Sequence, residues 1–163
     1  MTDLLALAHD LPTRTVPVGD VLIAEGADQG PMYVLVSGTA AIERDGVPFA
    51  RISHSGAVFG EMSVVLRQPA TATVRAQSHL VVHEISDPES FFHERPEAAL
   101  TVLRMTAQRL DNLTRYLVDV KAQFAEMGGH LGMVDRILDT LVHHQAPASR
   151  TGSARDPEGD HVH

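Results

Sequence analysis

Along the first ninety residues the β-branched and aromatic positions come in short bursts, each closed by glycine, proline or aspartate. Thr15-Val16-Pro17-Val18 runs into Gly19-Asp20, Val21-Leu22-Ile23 into Glu25-Gly26, and Met32 to Val36 into Ser37-Gly38. Thr39 to Arg44 stops at Asp45-Gly46, and Phe49 to Ile52 is followed by Gly56. Thr71 to Ala76 and Leu80 to Ile85 complete the series. Short strands with turn signals at roughly 8–12-residue spacing predict a β-sandwich, jelly roll or small barrel. Asp45-Gly46 predicts a two-residue hairpin, because both central positions of that turn need positive φ.

The period changes at both ends. Residues 1–9 predict a short amphipathic helix with Leu4, Leu5 and Leu7 on its apolar side. Asp87-Pro88-Glu89 reads as a helix start with proline in the first turn, and Pro96-Glu97 as a second. Leu103, Thr106, Leu110, Leu113, Leu117, Val120, Phe124 and Met127 then recur at alternating spacings of three and four. That is a heptad seam, so a coiled coil between two copies of the chain is expected. Gly128-Gly129 interrupts it, and Leu131 to Val142 resumes an amphipathic helix with Leu131, Val134, Ile137, Leu138 and Leu141 apolar. Gln145 to His163, rich in small residues, proline and charge, predicts a disordered tail. The expected division is a β-roll with its N-terminal helix over 1–99, a dimerisation helix over 100–127, a short helix over 128–144 and a tail over 145–163.

Composition narrows the chemistry. A chain of 163 residues suffices for one core and a helical appendage. It has no cysteine, which removes disulfides, thiol redox sensing and cysteine-held iron–sulfur clusters. A net charge of −8, no tryptophan and two tyrosines speak against a stand-alone nucleic-acid binder. No apolar run approaches the ~20 residues of a membrane span. The first residues lack a basic segment before an apolar one, so no secretory signal is read and a cytoplasmic location is expected. His79 and His83, His143-His144, and His161 and His163 show neither helical i, i+4 pairing nor a structural zinc pattern, so no metal site is expected. No nucleophile elbow, Ser-His-Asp order, phosphate loop or dinucleotide fingerprint occurs, so no enzyme is expected.

One stretch carries a candidate site. Phe59-Gly60-Glu61-Met62-Ser63 ends a strand and opens a helical turn, whose first N–H groups lack intrahelical acceptors and attract anions. Gly60 admits close approach to the backbone, Glu61 offers two acceptors to a vicinal diol, and Thr71 brings a hydroxyl. The alternative is that Glu61 only caps its helix and Thr71 only fills a strand position.

Four motifs stand in order: Gly19-Asp20-x-Leu22-x-x-Glu25-Gly26, Tyr33-Val34-Leu35-x-x-Gly38, Phe59-Gly60-Glu61-Met62, and Thr71 to Ala76. Over roughly residues 10–125 the chain resembles the cyclic-nucleotide-binding domain family, in the form found in catabolite-activator-type regulators. The resemblance implies a β-sandwich or jelly-roll domain followed by a long C-terminal dimerisation helix that also closes over the ligand. It implies that Glu61 takes a ribose hydroxyl and that the backbone of 60–63 meets a phosphate. An arginine of the family's cassette is replaced here by Ala70. Arg67, three residues upstream, is the first substitute cation, and Arg75 the second. The implied ligand set is Phe59, Gly60, Glu61, Met62, Ser63, Arg67, Ala70, Thr71 and Tyr116. Leu117, Arg115 and Asn112 lie near Tyr116 on the long helix. The helix over 131–142 resembles the one that opens the family's winged helix; with only 145–163 beyond it, DNA reading is not expected. Two functions remain open: a dimeric sensor for a nucleotide or related phosphorylated ligand, with no cofactor beyond that ligand, and a ligand-free protein-interaction module. A third is a transcriptional-regulator relative without its DNA-binding part.

Overall fold

Side-chain alternation along the strands separates two cores in the computed structural model, which describes residues 3–125 and 132–143. A one-turn helix α1 (Leu4–Leu7) precedes strands β1 (Thr13–Val16), β2 (Val21–Ile23), β3 (Met32–Ser37), β4 (Ala40–Arg44), β5 (Val47–Ile52) and β6 (Val58–Phe59). Helix α2 (Glu61–Leu66) follows, then β7 (Thr73–Ala76), β8 (Leu80–Ile85), α3 (Pro88–Glu94), α4 (Pro96–Phe124) and α5 (Gly132–His143). The strands form two antiparallel sheets, ordered β1-β8-β3-β6 and β2-β7-β4-β5. This is the expected β-sandwich of jelly-roll type with a long C-terminal helix.

Strand β3 is buried on both faces, which is why it reads as an unbroken apolar run. Tyr33 and Leu35 join the sandwich interior with Phe59, Val82, and Ile42 and Val74 of the opposite sheet. Met32 and Val34 face the other way and pack with Leu4, Phe91, Ala98 and Val102. A helical layer thus lies against the β1-β8-β3-β6 sheet.

Local chemistry sets the ends of the elements. Strand β1 stops at Val16, two residues before the expected end, because Pro17 has no N–H for the ladder. The carbonyl of Pro17 instead accepts a turn bond from the Asp20 N–H at 3.1 Å. The β4–β5 hairpin turns through Asp45 at φ 52° and Gly46 at φ 75°, the two positive values its length demands. Gly38, at φ 100°, has no room for a side chain: a Cβ there would stand 2.2 Å from the His79 carbonyl oxygen. Helix α1 is shorter than the expected 1–9, capped by the Asp3 carboxylate on the Leu5 N–H at 3.1 Å. Arg95 holds the following turn, donating to the Leu7 carbonyl at 2.9 Å and the Asp10 carboxylate at 2.7 Å. Desolvation opposes ionisation of Asp10, but a backbone bond and the Arg95 guanidinium outweigh it and hold the carboxyl below its ordinary value. This pair therefore favours the fold above the unfolded carboxyl's pKa and ceases to do so as acid protonates Asp10.

The chain forms two compact units, Met1–Gln108 and Arg109–His163. Helix α4 begins at Pro96, so the expected boundary at 99/100 falls inside it. Within the second unit, Lys121 pairs with Asp135 of α5, and that bond raises the lysine's pKa. Val134, Leu138 and Leu141 are half-buried, whereas Ile137 is exposed. Leu131, Met127, Gly128-Gly129 and the expected tail over 145–163 lie outside the described residues. No described helix is long and apolar enough to cross a membrane.

Candidate functional site

Strand β6 delivers the site. It pairs with β3 through Tyr33–Phe59 and Val34–Val58, burying Phe59 in the sandwich and leaving Gly60 at the strand's end. Gly60 turns the chain at φ 88°, where a side chain is strained. A Cβ there would also meet the Pro31 carbonyl oxygen at 3.1 Å and the Ile23 Cδ1 at 3.2 Å. Helix α2 starts immediately afterwards. Glu61 in its first turn is 5% exposed and is engaged within the protein. Ser63 is also buried, and its hydroxyl donates back to the Gly60 carbonyl at 3.0 Å. Met62 is exposed.

A loop missed by sequence reasoning braces both ends of the cassette. The Gly26 N–H donates to the Ala70 carbonyl at 2.7 Å, and the Ala70 N–H donates to the Ala27 carbonyl at 2.9 Å. The Gln29 side-chain amide donates to the Ser63 carbonyl at 2.8 Å. Glu25 accepts the Asp45 N–H at 2.9 Å, and its own N–H reaches the Thr73 hydroxyl at 3.0 Å. The Glu25-Gly26 pair was visible as a turn signal, but its pairing across the fold was not. Ala70 and Thr71 are half-buried, just ahead of β7.

Each of the two substitute arginines has an acidic neighbour, and the two are held with different firmness. Arg67, in the left-handed region at φ 52°, closes α2 and lies 3.7 Å from Glu89 of α3. Arg75 donates to the Glu43 carboxylate at 3.1 Å and to the Gly19 carbonyl at 2.9 Å. Phe59, Gly60, Glu61, Met62, Ser63, Ala70 and Thr71 thus share one braced segment, in which position 70 carries only a methyl group. Tyr116 is an exposed residue of the second unit, and Arg115 there pairs with Asp111 at 2.6 Å. His79 is exposed ahead of β8; His83 is buried and donates from Nδ1 to the Leu11 carbonyl at 3.0 Å. Among the described residues no cluster of His, Asp and Glu has the makings of a metal site.

This segment is shared with known proteins. Residues 13–92 match the sequence profile of the cyclic nucleotide-binding domain. The chain is 30% identical over 122 residues to a CRP-like cAMP-activated global transcriptional regulator of Mycobacterium tuberculosis. That match takes in 71% of this chain and 54% of the regulator, so the chain spans about half the length of this relative. Among solved structures, the N-terminal domain of a transcriptional regulator from Streptomyces coelicolor superposes with a TM-score of 0.53 at 26% identity, over 71% of this chain and 86% of that one. The regulatory subunit of a cAMP-independent protein kinase A from Trypanosoma brucei shares the fold, with a TM-score of 0.53 at 24% identity over 64% of this chain and 38% of that one. The order of motifs, the sandwich they build and these likenesses place this chain in the cyclic nucleotide-binding domain family.

Proposed function

We propose that this protein is a cytoplasmic, dimeric, non-catalytic sensor whose cassette takes a nucleotide or a related phosphorylated ligand. The observation that carries the reading is the braced segment from Phe59 to Ser63, with Gly60 at φ 88° and Glu61 buried beside it. A carboxylate held out of solvent at the head of a short helix can accept from a ribose diol by exchanging its present partner within the protein for the ligand. The cyclic-AMP activation named for the mycobacterial relative supports the same ligand class. Ligand binding would act by population shift. Helix α2 lies beside α3, and α3 leads into the first turns of α4, whose Ala98 and Val102 share a core with Phe91. A cassette that moves on binding therefore presses on packed elements.

Ala70 favours a second reading, a protein-interaction module on the same fold whose pocket stays empty. Truncating one partner of a buried charge-assisted pair costs about 2–5 kcal/mol, or roughly thirtyfold to a few thousandfold in affinity. Calorimetry with cyclic AMP, cyclic GMP and a cyclic dinucleotide separates the two. The sensor reading expects a saturable heat with at least one of them, weakened by salt. A folded protein that gives no heat with any of the three supports the interaction module.

A further inference from the structure

A second cleft lies on the side of the cassette helix that faces α3. It measures about 470 Å³, within the range of small-molecule pockets. Its walls come from the Gln29–Pro31 loop, the outer face of α2 at Val64 and Val65, and the start of α3 with Phe92 one turn on. Val65 is 65% exposed and offers an apolar wall to the cleft.

The charged groups at its mouth differ in how firmly they are held. Asp87 has both carboxylate oxygens in use, one on the Ser90 N–H at 3.1 Å and one on the Ser90 hydroxyl at 2.8 Å. Gln29 is tied to the Ser63 carbonyl. Among the described residues the Arg67 and Glu89 side chains make one ion pair, with each other at 3.7 Å, and are 81% and 74% exposed. A pair that long and that exposed contributes little, so it can be opened by a ligand that satisfies both ends. A ligand with one charge would leave the other residue without its partner. A ligand with adjacent opposite charges replaces both halves of the pair at once, and an apolar substituent would cover Val65 and Phe92.

We propose that this cleft is a site for a free α-amino acid with an apolar side chain. Its carboxylate pairs with Arg67, its ammonium with Glu89 and its side chain lies against Val64, Val65 and Phe92. Because the walls belong to α2 and α3, an occupant fixes the spacing between the cassette helix and the helix behind it.

The test is an amide chemical-shift titration of the isotope-labelled full chain with L-phenylalanine, glycine, phenylalaninamide and N-acetyl-L-phenylalanine. Phenylalanine is expected to move the amides of residues 29–30, 64–67, 86–87 and 89–93 saturably, and glycine is not. Each one-charge analogue should bind about fivefold more weakly, the scale of one exposed ion pair. These analogues also stand for the two ends of a polypeptide, so equal or tighter binding by either one replaces the free amino acid with a chain terminus and overturns the proposal. Arg67→Gln should erase the preference for phenylalanine over phenylalaninamide, and Glu89→Gln the preference over N-acetyl-phenylalanine. Val65→Gln, at an exposed position, should weaken all three aromatic probes. Shifts that fall outside both walls, an absence of shifts, or charge variants that keep the wild-type preferences would each refute the site.

Discussion

Replacing Ala70 with arginine is expected to raise the affinity for cyclic nucleotide at least about tenfold, the equivalent of roughly 1.4 kcal/mol. The backbone at this position is fixed from both sides, its N–H on the Ala27 carbonyl and its carbonyl on the Gly26 N–H. A new side chain therefore starts from a defined point beside Thr71. Arginine at this position supplies a planar fork of donors suited to phosphate oxygens, whereas Arg67 extends toward Glu89 and Arg75 is held by Glu43. Calorimetry of Ala70→Arg against wild type, with cyclic AMP and cyclic GMP, reads the gain. A variant that folds normally and gives no heat with either nucleotide would remove position 70 from any usable pocket and leave the interaction module as the better account.

Monomers are the expected product of the double substitution Leu110→Lys and Leu117→Lys. In the single chain Leu103, Leu110, Leu113 and Phe124 are exposed on α4, and Leu117 and Val120 are half-buried. Burying one such side chain contributes about 1.5–3 kcal/mol. The substitutions remove that gain at two levels in each copy and set like charges opposite one another along the seam. Light scattering should show twice the chain mass for wild type and the chain mass for the variant. Equal masses for the two would refute the dimer.

The β domain was legible in the sequence because its signals are local. Strand β8 matches the expected Leu80–Ile85, and the β4–β5 turn follows from Asp45-Gly46 alone. The end of strand β1 was misjudged by two residues because Pro17, set between two valines, cannot donate to a ladder. The candidate site was legible as a segment, from Phe59 to Ser63 and from Ala70 to Thr71, but its bracing was not. Contacts such as Gly26 to Ala70 and Gln29 to Ser63 join residues far apart in sequence, and no spacing rule reports them. The ion pair made by Arg67 was not legible either, for a similar reason. Its partner Glu89 lies 22 residues on, in a helix whose placement against α2 only the folded chain reveals. The heptad of α4 was the opposite case, plain in sequence; of its described positions Leu103, Leu110, Leu113 and Phe124 stand exposed and Leu117 and Val120 half-buried.

Amide chemical-shift mapping of the wild-type chain with cyclic AMP tests most directly whether the cassette is a ligand site. The sensor account predicts saturable shifts centred on residues 59–63 and 70–73, lost in Glu61→Ala, with smaller shifts carried into α3. A folded protein whose spectrum does not change at millimolar nucleotide, or whose shifts avoid both of those segments, would contradict it.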